Sequence, residues 1–336
     1  MKSMQLPIQL PIQLPRTLAL LACVLLSTQV LAQEIKMHTI GVTKIATHAA
    51  LDADEKGFEA GLASVGFKEG INVRYLRMNA EGDMAKAEAI AKQFAEQKVT
   101  LIHSIATPTT LAVVKHHKTI PVVFSSITDP VGAGIVPKNS APGKKTGSNL
   151  TGVSDEWPVA LQMEMYARML PSAKRWGTIY NPAEPNAVKH IKGMRKAAKK
   201  LGLTLIEVHV DNSKAVARAA ASLVGKIDAM TITSDNTAVA DFASIVRVCN
   251  DKKIPLFAGD VDSVAGGAVA AYGLDYYLVG YSAGKKAALI LKGTKPGDIP
   301  WGPVEKFSLV INQKAAALQG VTLTPEFLGK ADKILK

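Results

Sequence analysis

The segment from Val99 to Val114, VTLIHSIATPTTLAVV, contains a strand followed directly by the start of a helix. Its first seven residues form a short, mostly apolar run of the length of a buried strand. Thr107 and Pro108 suit an N-cap and the first helical position, because the threonine hydroxyl accepts a backbone hydrogen bond and proline needs no N–H there. The segment therefore predicts one β–α unit.

The same alternation extends over the rest of the chain and restarts once. Apolar runs predict strands at 39–43, 71–76, 99–105, 122–126 and 149–153, then at 176–180, 203–208, 229–233, 256–258, 268–272 and 307–311. Helical spacing predicts helices at 52–65 and 84–97, then at 186–201, 213–225, 237–249 and 276–292. Strands that recur about every 25–30 residues with helices between them are typical of βαβ units. We therefore predict an α/β fold of two doubly wound, Rossmann-like lobes with parallel sheets.

Length and composition exclude several classes of protein. The chain has 336 residues, of which 48% are hydrophobic and 20% are charged, and it contains two cysteines. This apolar fraction is too high for a mainly disordered chain, and two cysteines are too few for a disulfide scaffold. A single uniformly apolar stretch, near the N-terminus, excludes a polytopic membrane protein. The length fits about two domains of about 100–200 residues each.

The N-terminus has the pattern of a secretory signal peptide. Lys2 and Arg16 supply positive charge, and an apolar run of about ten residues follows and ends in small or apolar residues. We therefore predict that residues 1–32 are removed and that the protein is periplasmic. An uncleaved membrane anchor is one alternative. Lipidation of Cys23 is another, which the apolar residues after Cys23 disfavour, because a lipidated cysteine usually ends the apolar run.

The remaining charge and the remaining cysteine have simple interpretations. The net charge of +12 falls to +10 when residues 1–32, with Lys2 and Arg16, are removed. A chain this basic can bind nucleic acid, but the predicted export and the lack of a recognition motif argue against that partner. Cys249 lies in an apolar helical pattern and is predicted to be a buried structural thiol.

Small and polar residues follow the predicted strands. Ligands of open parallel sheets lie beyond the carboxyl ends of the strands. The loops at these ends are 47–48, 106–107, 125–129, 180–186, 234–236 and 259–260. Turn and cap residues explain any one of these loops equally well. Six such loops from two lobes nevertheless favour one shared cleft.

Sequence motifs for catalysis or cofactor binding are missing. Gly132-Ala133-Gly134 lacks the third glycine of a dinucleotide fingerprint, and the segment 143–146 lacks the upstream spacing of a P-loop. Neither G-x-S-x-G nor H-E-x-x-H occurs. Because no paired nucleophile and base is found, we predict a protein that is not an enzyme and that uses no cofactor and no metal.

Seven segments, in this order, carry a resemblance to a known family. They are 47–52 (THAALD), 105–108 (IATP), 128–134 (TDPVGAG), 149–155 (NLTGVSD), 180–186 (YNPAEPN), 234–236 (SDN) and 273–277 (GLDYY). The chain resembles the substrate-binding proteins of bacterial ABC importers, of the type I periplasmic-binding-protein fold. Within them it is similar to the branch that holds tryptophan-binding proteins. One departure is Ala49, where the family often has proline.

The resemblance implies three crossovers between the lobes. It places the N-lobe at 35–152 plus 274–303 and the C-lobe at 153–273 plus 304–336. It also implies an exported solute-binding protein that closes on a small solute and delivers it to an ABC permease in the membrane. The implied ligand is an amino acid, aromatic or branched, or a related small carboxylate.

The resemblance also directs the assignment of ligand contacts. Thr107, Ser126 and Thr128 follow strands of the first lobe and suit the carboxylate of an amino acid. Asp235 and Asp260 follow strands of the second lobe and suit its ammonium group. The other candidate residues of these loops are His48, Ala49, Leu51, Asp129, Glu184, Asn186 and Ser234.

Further candidates concern the ligand side chain and the hinge. Tyr180 ends a strand at the cleft and is predicted to form an aromatic wall. Asn181 and Asn236 add fixed hydrogen bonds, and Asp275 either contacts the ligand or serves the hinge. Three aromatic residues are expected mainly in core or lobe packing: Phe124, Trp157 and Tyr276.

Functions from other classes stay open at this point. A periplasmic sensing domain that signals through a membrane partner shares the fold, so the sequence separates it poorly from an importer protein. The effector domain of a transcription regulator would carry a helix-turn-helix of about 60 residues where this chain has an apolar export signal. An enzyme on a doubly wound fold would need a cofactor loop or an acid–base pair, and fold alone does not decide this.

Overall fold

The computed structural model describes residues 36–336, which form two lobes, each built around one sheet. The predicted signal peptide, 1–32, and Cys23 lie outside the described residues. Within residues 36–336, none of the helices has the length and apolar character needed to cross a membrane.

Six parallel strands form the sheet of the first lobe. In order across the sheet they are β11 (Gly302–Pro303), β5 (Leu150–Ser154), β4 (Val122–Ile127), β3 (Leu101–Ile105), β1 (His38–Lys44) and β2 (Val73–Asn79). The helices of this lobe are α1 (Ala49–Ala63), α2 (Met84–Glu96), α3 (Thr107–His116) and α10 (Tyr276–Leu291). The central strands β3, β4 and β5 are buried along their whole length, as expected for a sheet that helices cover on both faces.

Seven strands form the sheet of the second lobe. In order they are β13 (Lys333–Leu335), β12 (Phe307–Asn312), β10 (Ala270–Leu274), β9 (Leu256–Ala258), β8 (Ala229–Ile232), β6 (Arg175–Tyr180) and β7 (Thr204–His209). The helices of this lobe are α4 (Val159–Met169), α5 (Pro185–Leu201), α6 (Val216–Ser222), α7 (Asn236–Ala240), α8 (Phe242–Lys252), α9 (Asp262–Ala265), α11 (Gln313–Leu318) and α12 (Pro325–Lys330). Short 3₁₀ turns lie at Ser213–Ala215 and Pro296–Asp298.

The chain passes between the two sheets three times, after β5, after β10 and after β11. This is the two-lobed, doubly wound α/β fold that the sequence predicts. The prediction of parallel sheets is wrong at one pair, because β12 runs antiparallel to β10. The chain returns from the first lobe through β11 and enters the second sheet in the opposite direction.

Aromatic and aliphatic side chains of the helices and strands build the cores of the lobes. Tyr166 of α4 stacks on Phe257 of β9 with ring centroids 4.6 Å apart, and Trp176 of β6 packs against the same ring. Cys249 of α8 is buried in the second lobe, as its helical pattern predicts, and burial raises the pKa of its thiol to about 12. This thiol is therefore a packing residue and not a reactive one.

Glycines allow α1 and α10 to pack with their backbones in direct contact. A Cβ added to Gly57 would overlap the carbonyl oxygen of Tyr277, and a Cβ added to Gly280 would overlap that of Asp54. Gly61 and Gly284 meet the facing helix in the same way one turn further along. Two G-x-x-x-G segments therefore face each other, and any larger residue would push the helices apart.

We predict that Gly280→Ala lowers the free energy of unfolding by about 3 kcal/mol, because the methyl group has no space and backbone atoms must move. The measurement is urea denaturation of the mature protein followed by circular dichroism. Gly329→Ala in α12 is the matched control, since no heavy atom lies within 4 Å of its added Cβ. Equal effects of the two substitutions would contradict the close helix contact.

Candidate functional site

The carboxyl ends of strands from both lobes surround a narrow cavity of about 20 Å³, here called the central cavity. The first lobe lines it with His48, Ala50, Leu51, Ala106, Ser126, Thr128 and Tyr276. The second lobe lines it with Asp155, Trp157, Asn186, Ser234, Asn236, Val239 and Asp260. It lies between two lobes at the carboxyl ends of their strands, which is where open parallel sheets bind ligands.

The structure brings about half of the predicted contact residues to the central cavity. These are His48, Leu51, Ser126, Thr128, Asn186, Ser234, Asn236 and Asp260. Asn181 and Glu184 instead line a wider opening beside it, the outer cleft, which the loops after β1, β2, β6 and β7 also line. Thr107 and Asp129 line a groove on another side of the cavity, together with Asn186 and Lys189.

Four predicted residues line none of these spaces: Ala49, Tyr180, Asp235 and Asp275. The ring of Tyr180 packs edge-on against His209 of β7, and its hydroxyl donates to Glu207 at 3.0 Å. Asp275 caps α10 by accepting from the backbone N–H groups of Tyr277 and Leu278. The position of a residue after a strand therefore identified the correct edge of the sheet but not the direction of its side chain.

Asp235 and Glu184 are buried carboxylates that are satisfied within the second lobe. Asp235 accepts from the N–H groups of Asn181 and Ala238, each at 2.6 Å. Glu184 accepts from the N–H groups of Asn236 and Thr237 at 3.0 and 2.9 Å, and also from both of their side chains. Burial and the neighbouring Glu184 raise the pKa of Asp235 well above its usual value. Both acids therefore fix loops around the start of α7.

Asp155 and Asp260 are the acidic groups of the central cavity. Asp155 accepts from the hydroxyls of Tyr276 at 2.5 Å and Thr128 at 3.0 Å. Asp260 accepts from the N–H and the hydroxyl of Ser263 at 2.8 and 2.9 Å. Burial is the main cause that raises the pKa of Asp155 to about 6, and it raises the pKa of Asp260 as well. Of these two acids, only Asp260 was predicted from the sequence to contact the ligand. Asp155 also directly follows a strand, so the same argument could have found it.

His48 lies at the cavity in a defined neutral form. Its Nε2 lies 3.3 Å from Oδ1 of Asn236, whose Nδ2 donates to Glu184 at 2.6 Å. The amide of Asn236 is therefore oriented with its oxygen toward His48, so His48 Nε2 carries the hydrogen and donates. Burial lowers the pKa of His48 below its usual value. The other nitrogen, Nδ1, is thus a buried acceptor without a partner in the structure.

Trp157 supplies the aromatic wall of the central cavity. It stacks on His190 with ring centroids 4.6 Å apart, and burial lowers the pKa of His190 to about 3, so this histidine is neutral. On Gly259, an added Cβ would overlap the indole ring, so only glycine leaves room for it. The aromatic wall is therefore formed by Trp157, which the sequence analysis expected mainly in core or lobe packing, and not by Tyr180.

Strained backbone lies at the first-lobe side of the cavity. Ala106 has φ 75° and ψ 155°, and Ser126 has φ 57°, conformations that residues other than glycine rarely adopt. Ala106 directly precedes α3, and Ser126 is the last residue but one of β4. Such strain is found where function requires a fixed geometry.

Helix starts place backbone N–H groups at the same side of the cavity. α1 has 15 residues and α3 has 10, and the residues before them, His48 and Ala106, provide no side-chain cap. The N–H groups of a first helical turn have no partner within the helix. Ala50 and Leu51 of this turn line the cavity, so this region is suited to an anionic group.

A buried polar network connects α1 to β4 on the first-lobe side of the central cavity. Asp54 of α1 accepts from Ser125 at 2.9 Å and from Ser126, and Nε2 of His103 lies 2.7 Å from the Ser125 hydroxyl. Asp54 and His103 are fully buried. The hydroxyl of Ser126, predicted to bind a carboxylate, is thus occupied by Asp54. Within residues 36–336, no group of three or more His, Cys, Asp or Glu residues is placed to hold a metal ion.

Comparisons with known proteins agree with this geometry. A family model described as "ABC transporter substrate binding protein" matches residues 39–335. A tyrosine-binding protein of Clostridioides difficile (strain R20291) is 35% identical over 278 residues, which are 83% of this chain and 79% of that protein. An uncharacterised protein of Rickettsia prowazekii is 27% identical over 261 residues, 77% of this chain and 79% of that protein.

Two solved structures differ in their ligand state. An ABC domain from Streptococcus pneumonia in complex with L-Trp is 32% identical, with a TM-score of 0.83 over 89% of this chain and 100% of that one. A ligand-free, open substrate binding protein from Clostridium difficile is 31% identical, with a TM-score of 0.64 over the same shares. At nearly equal identity and coverage, this structure therefore matches the ligand-bound relative more closely than the open one.

Proposed function

The chain belongs to the family of ABC transporter substrate binding proteins, and we propose that it captures an aromatic amino acid as a zwitterion in the central cavity and delivers it to a membrane permease for import. It is a binding protein and not an enzyme. The observation that carries the proposed ligand is a pair of buried carboxylates, Asp155 and Asp260, that line the cavity without a lysine or arginine partner among residues 36–336.

The two carboxylates favour a ligand with an ammonium group. Burying a carboxylate without a counter-ion is costly, and burial accordingly raises the pKa of each group. The neutral His48 adds a third acceptor, Nδ1, near Asp260. An ammonium group offers three N–H donors and a positive charge, so it satisfies acceptors of this kind in one step.

The opposite charge of a zwitterion suits the first-lobe side. The uncapped first turn of α1 presents N–H groups near Ala50 and Leu51, and α3 begins directly after the strained Ala106. Both helices are long enough to have a positive N-terminal end. A carboxylate at this position faces backbone donors, while the ammonium group faces Asp155 and Asp260.

An aromatic side chain is supported by the wall and by the relatives. Trp157 lines the cavity, where it is held in place by stacking on His190 and by the close approach of Gly259, and it contributes apolar aromatic surface to the site. One relative binds tyrosine and one solved relative holds L-Trp. These similarities favour an aromatic amino acid over a branched one.

Import through a permease is the role we propose for the captured solute. Substrate-binding proteins of ABC transporters are typically extracytoplasmic, and a periplasmic location agrees with the signal-peptide pattern at 1–32. A ligand sensor that acts through a membrane partner is the alternative role. No observation on the described residues favours the sensor, so we retain import.

Asp155→Asn and Asp260→Asn are each expected to raise the dissociation constant for the cognate amino acid about 100-fold, because each removes a charged partner of the ammonium group. Isothermal titration calorimetry on protein refolded to remove bound ligand measures this. The matched control is the des-amino analogue of the same amino acid, whose weaker binding should change little or improve in both variants. Equal losses for both ligands would contradict the ammonium assignment.

Ligand affinity is also expected to fall with decreasing pH. The pKa of Asp155 is raised to about 6, so this group takes up a proton between pH 7 and pH 5, and an ammonium ligand must then displace it. The apparent dissociation constant should rise about tenfold over this interval. Titrations at several pH values measure the slope, and Asp155→Asn should flatten it. A slope that is unchanged in this variant would assign the proton to another group.

Deletion of the gene is expected to abolish high-affinity uptake of the identified amino acid by whole cells. Radiolabelled uptake at a concentration near the dissociation constant measures this, and complementation with Asp155→Asn should restore little of it. Normal uptake in the deletion strain, together with tight binding in vitro, would favour the sensor role.

A further inference from the structure

The amide of Asn186 has a defined orientation at the wall of the central cavity. Asn186 lies in the first turn of α5 and is 4% exposed. Its Nδ2 donates to Oε2 of Glu184 at 3.1 Å and to the carbonyl oxygen of Ser234 at 2.8 Å. A carboxylate that receives backbone N–H groups and a carbonyl are both acceptors, so the amide cannot be turned around.

The amide oxygen of Asn186 is consequently a free acceptor. Oδ1 is buried and has no hydrogen-bond partner in the structure. Buried polar atoms are nearly always paired, and the exceptions are found where a ligand or a function requires them. Because Asn186 lines the central cavity, a bound ligand is the natural source of the missing donor.

Asn186 and Asp260 follow different strands of the second sheet. Asp260 follows β9 and Asn186 follows β6, and β8 lies between these two strands. Neighbouring strands are about 4.8 Å apart, so β6 and β9 are about 10 Å apart at this edge of the sheet. This order allows a ligand held by its ammonium group at Asp260 to direct its side chain toward Asn186.

We propose that Oδ1 of Asn186 is the specificity determinant of the site, and that it accepts a hydrogen bond from a donor on the ligand ring. A phenol O–H or an indole N–H supplies that donor and a phenyl ring does not, so the site selects tyrosine or tryptophan over phenylalanine. The inference rests on the proposed function, because it assumes that an aromatic amino acid occupies the central cavity.

The test combines a change in the protein with a change in the ligand. Dissociation constants are measured by calorimetry for wild type and Asn186→Leu with two ligand pairs, tyrosine with phenylalanine and tryptophan with 3-benzothienylalanine, in which sulfur replaces the ring N–H. Wild type should prefer the donor-bearing member of its cognate pair by roughly 10–100-fold. In Asn186→Leu this ratio should fall to about threefold or less, mainly through weaker binding of the donor-bearing ligand.

Asn181→Leu is the matched control. Both ends of the Asn181 amide are paired within the protein, with Thr237 at 3.0 Å and with the N–H of Ala183 at 2.9 Å. This variant also removes an amide from a loop after β6, and it should leave the ligand ratio as in wild type. A merely structural role of Asn186 would weaken both members of a pair equally.

Three outcomes overturn the proposal in different ways. An unchanged ratio in a folded Asn186→Leu protein removes Asn186 as the determinant and leaves the proposed function intact. Equal loss of all amino acids, with des-amino analogues unaffected, assigns Oδ1 to the ammonium group instead. Failure of wild type to bind any of the four amino acids removes the proposed function, and the inference with it.

Discussion

The close contact between α1 and α10 is the constraint on which the site depends. Four facing glycines let the two backbones touch, so the starts of both helices are held at one place beside the first sheet. The start of α1 brings His48, Ala50 and Leu51 to the central cavity, and the start of α10 brings Tyr276. Tyr276 then donates to Asp155, which follows the crossover strand β5. A contact between two helices thereby positions an acid of the second lobe.

Apart from the buried hydrogen bonds that Tyr276 and Thr128 donate to Asp155, the direct contacts between the lobes are modest in strength. His48 meets Asn236 at 3.3 Å, and Lys189 meets Asp129 at 3.2 Å while its side chain is 40% exposed. Exposed ion pairs contribute about 1 kcal/mol or less. On the proposed function, a ligand that bridges the carboxylates of one lobe and the helix starts of the other adds free energy that favours this arrangement. Closure is then a population shift driven by differential binding.

Much of the fold could be predicted from the sequence because strand and helix periods alternate clearly. The misses have local causes. The predicted helix 237–249 is divided into α7 and α8 at Asp241, whose backbone leaves the helical region. The site was harder to predict than the fold. The sequence shows which residues follow a strand and therefore lie at the sheet edge, but packing decides where their side chains point. Asp235 and Tyr180 turn to partners inside their own lobe, while Asp155 and Trp157 face the cavity.

On the proposed function, the surplus of acceptors also determines what the cavity rejects. Asp155, Asp260, His48 Nδ1 and Asn186 Oδ1 are all buried acceptors. A carboxylate without an ammonium group would gain the donors of α1 but would face two acids with no compensating charge, and repulsion in a buried site is strong. The proposed selectivity for amino acids over plain carboxylates thus rests on an unfavourable interaction with the wrong ligand as much as on contacts with the right one. Among residues 36–336 neither carboxylate has a lysine or arginine partner, and on the proposed function such a partner would neutralise the charge that selects the ligand.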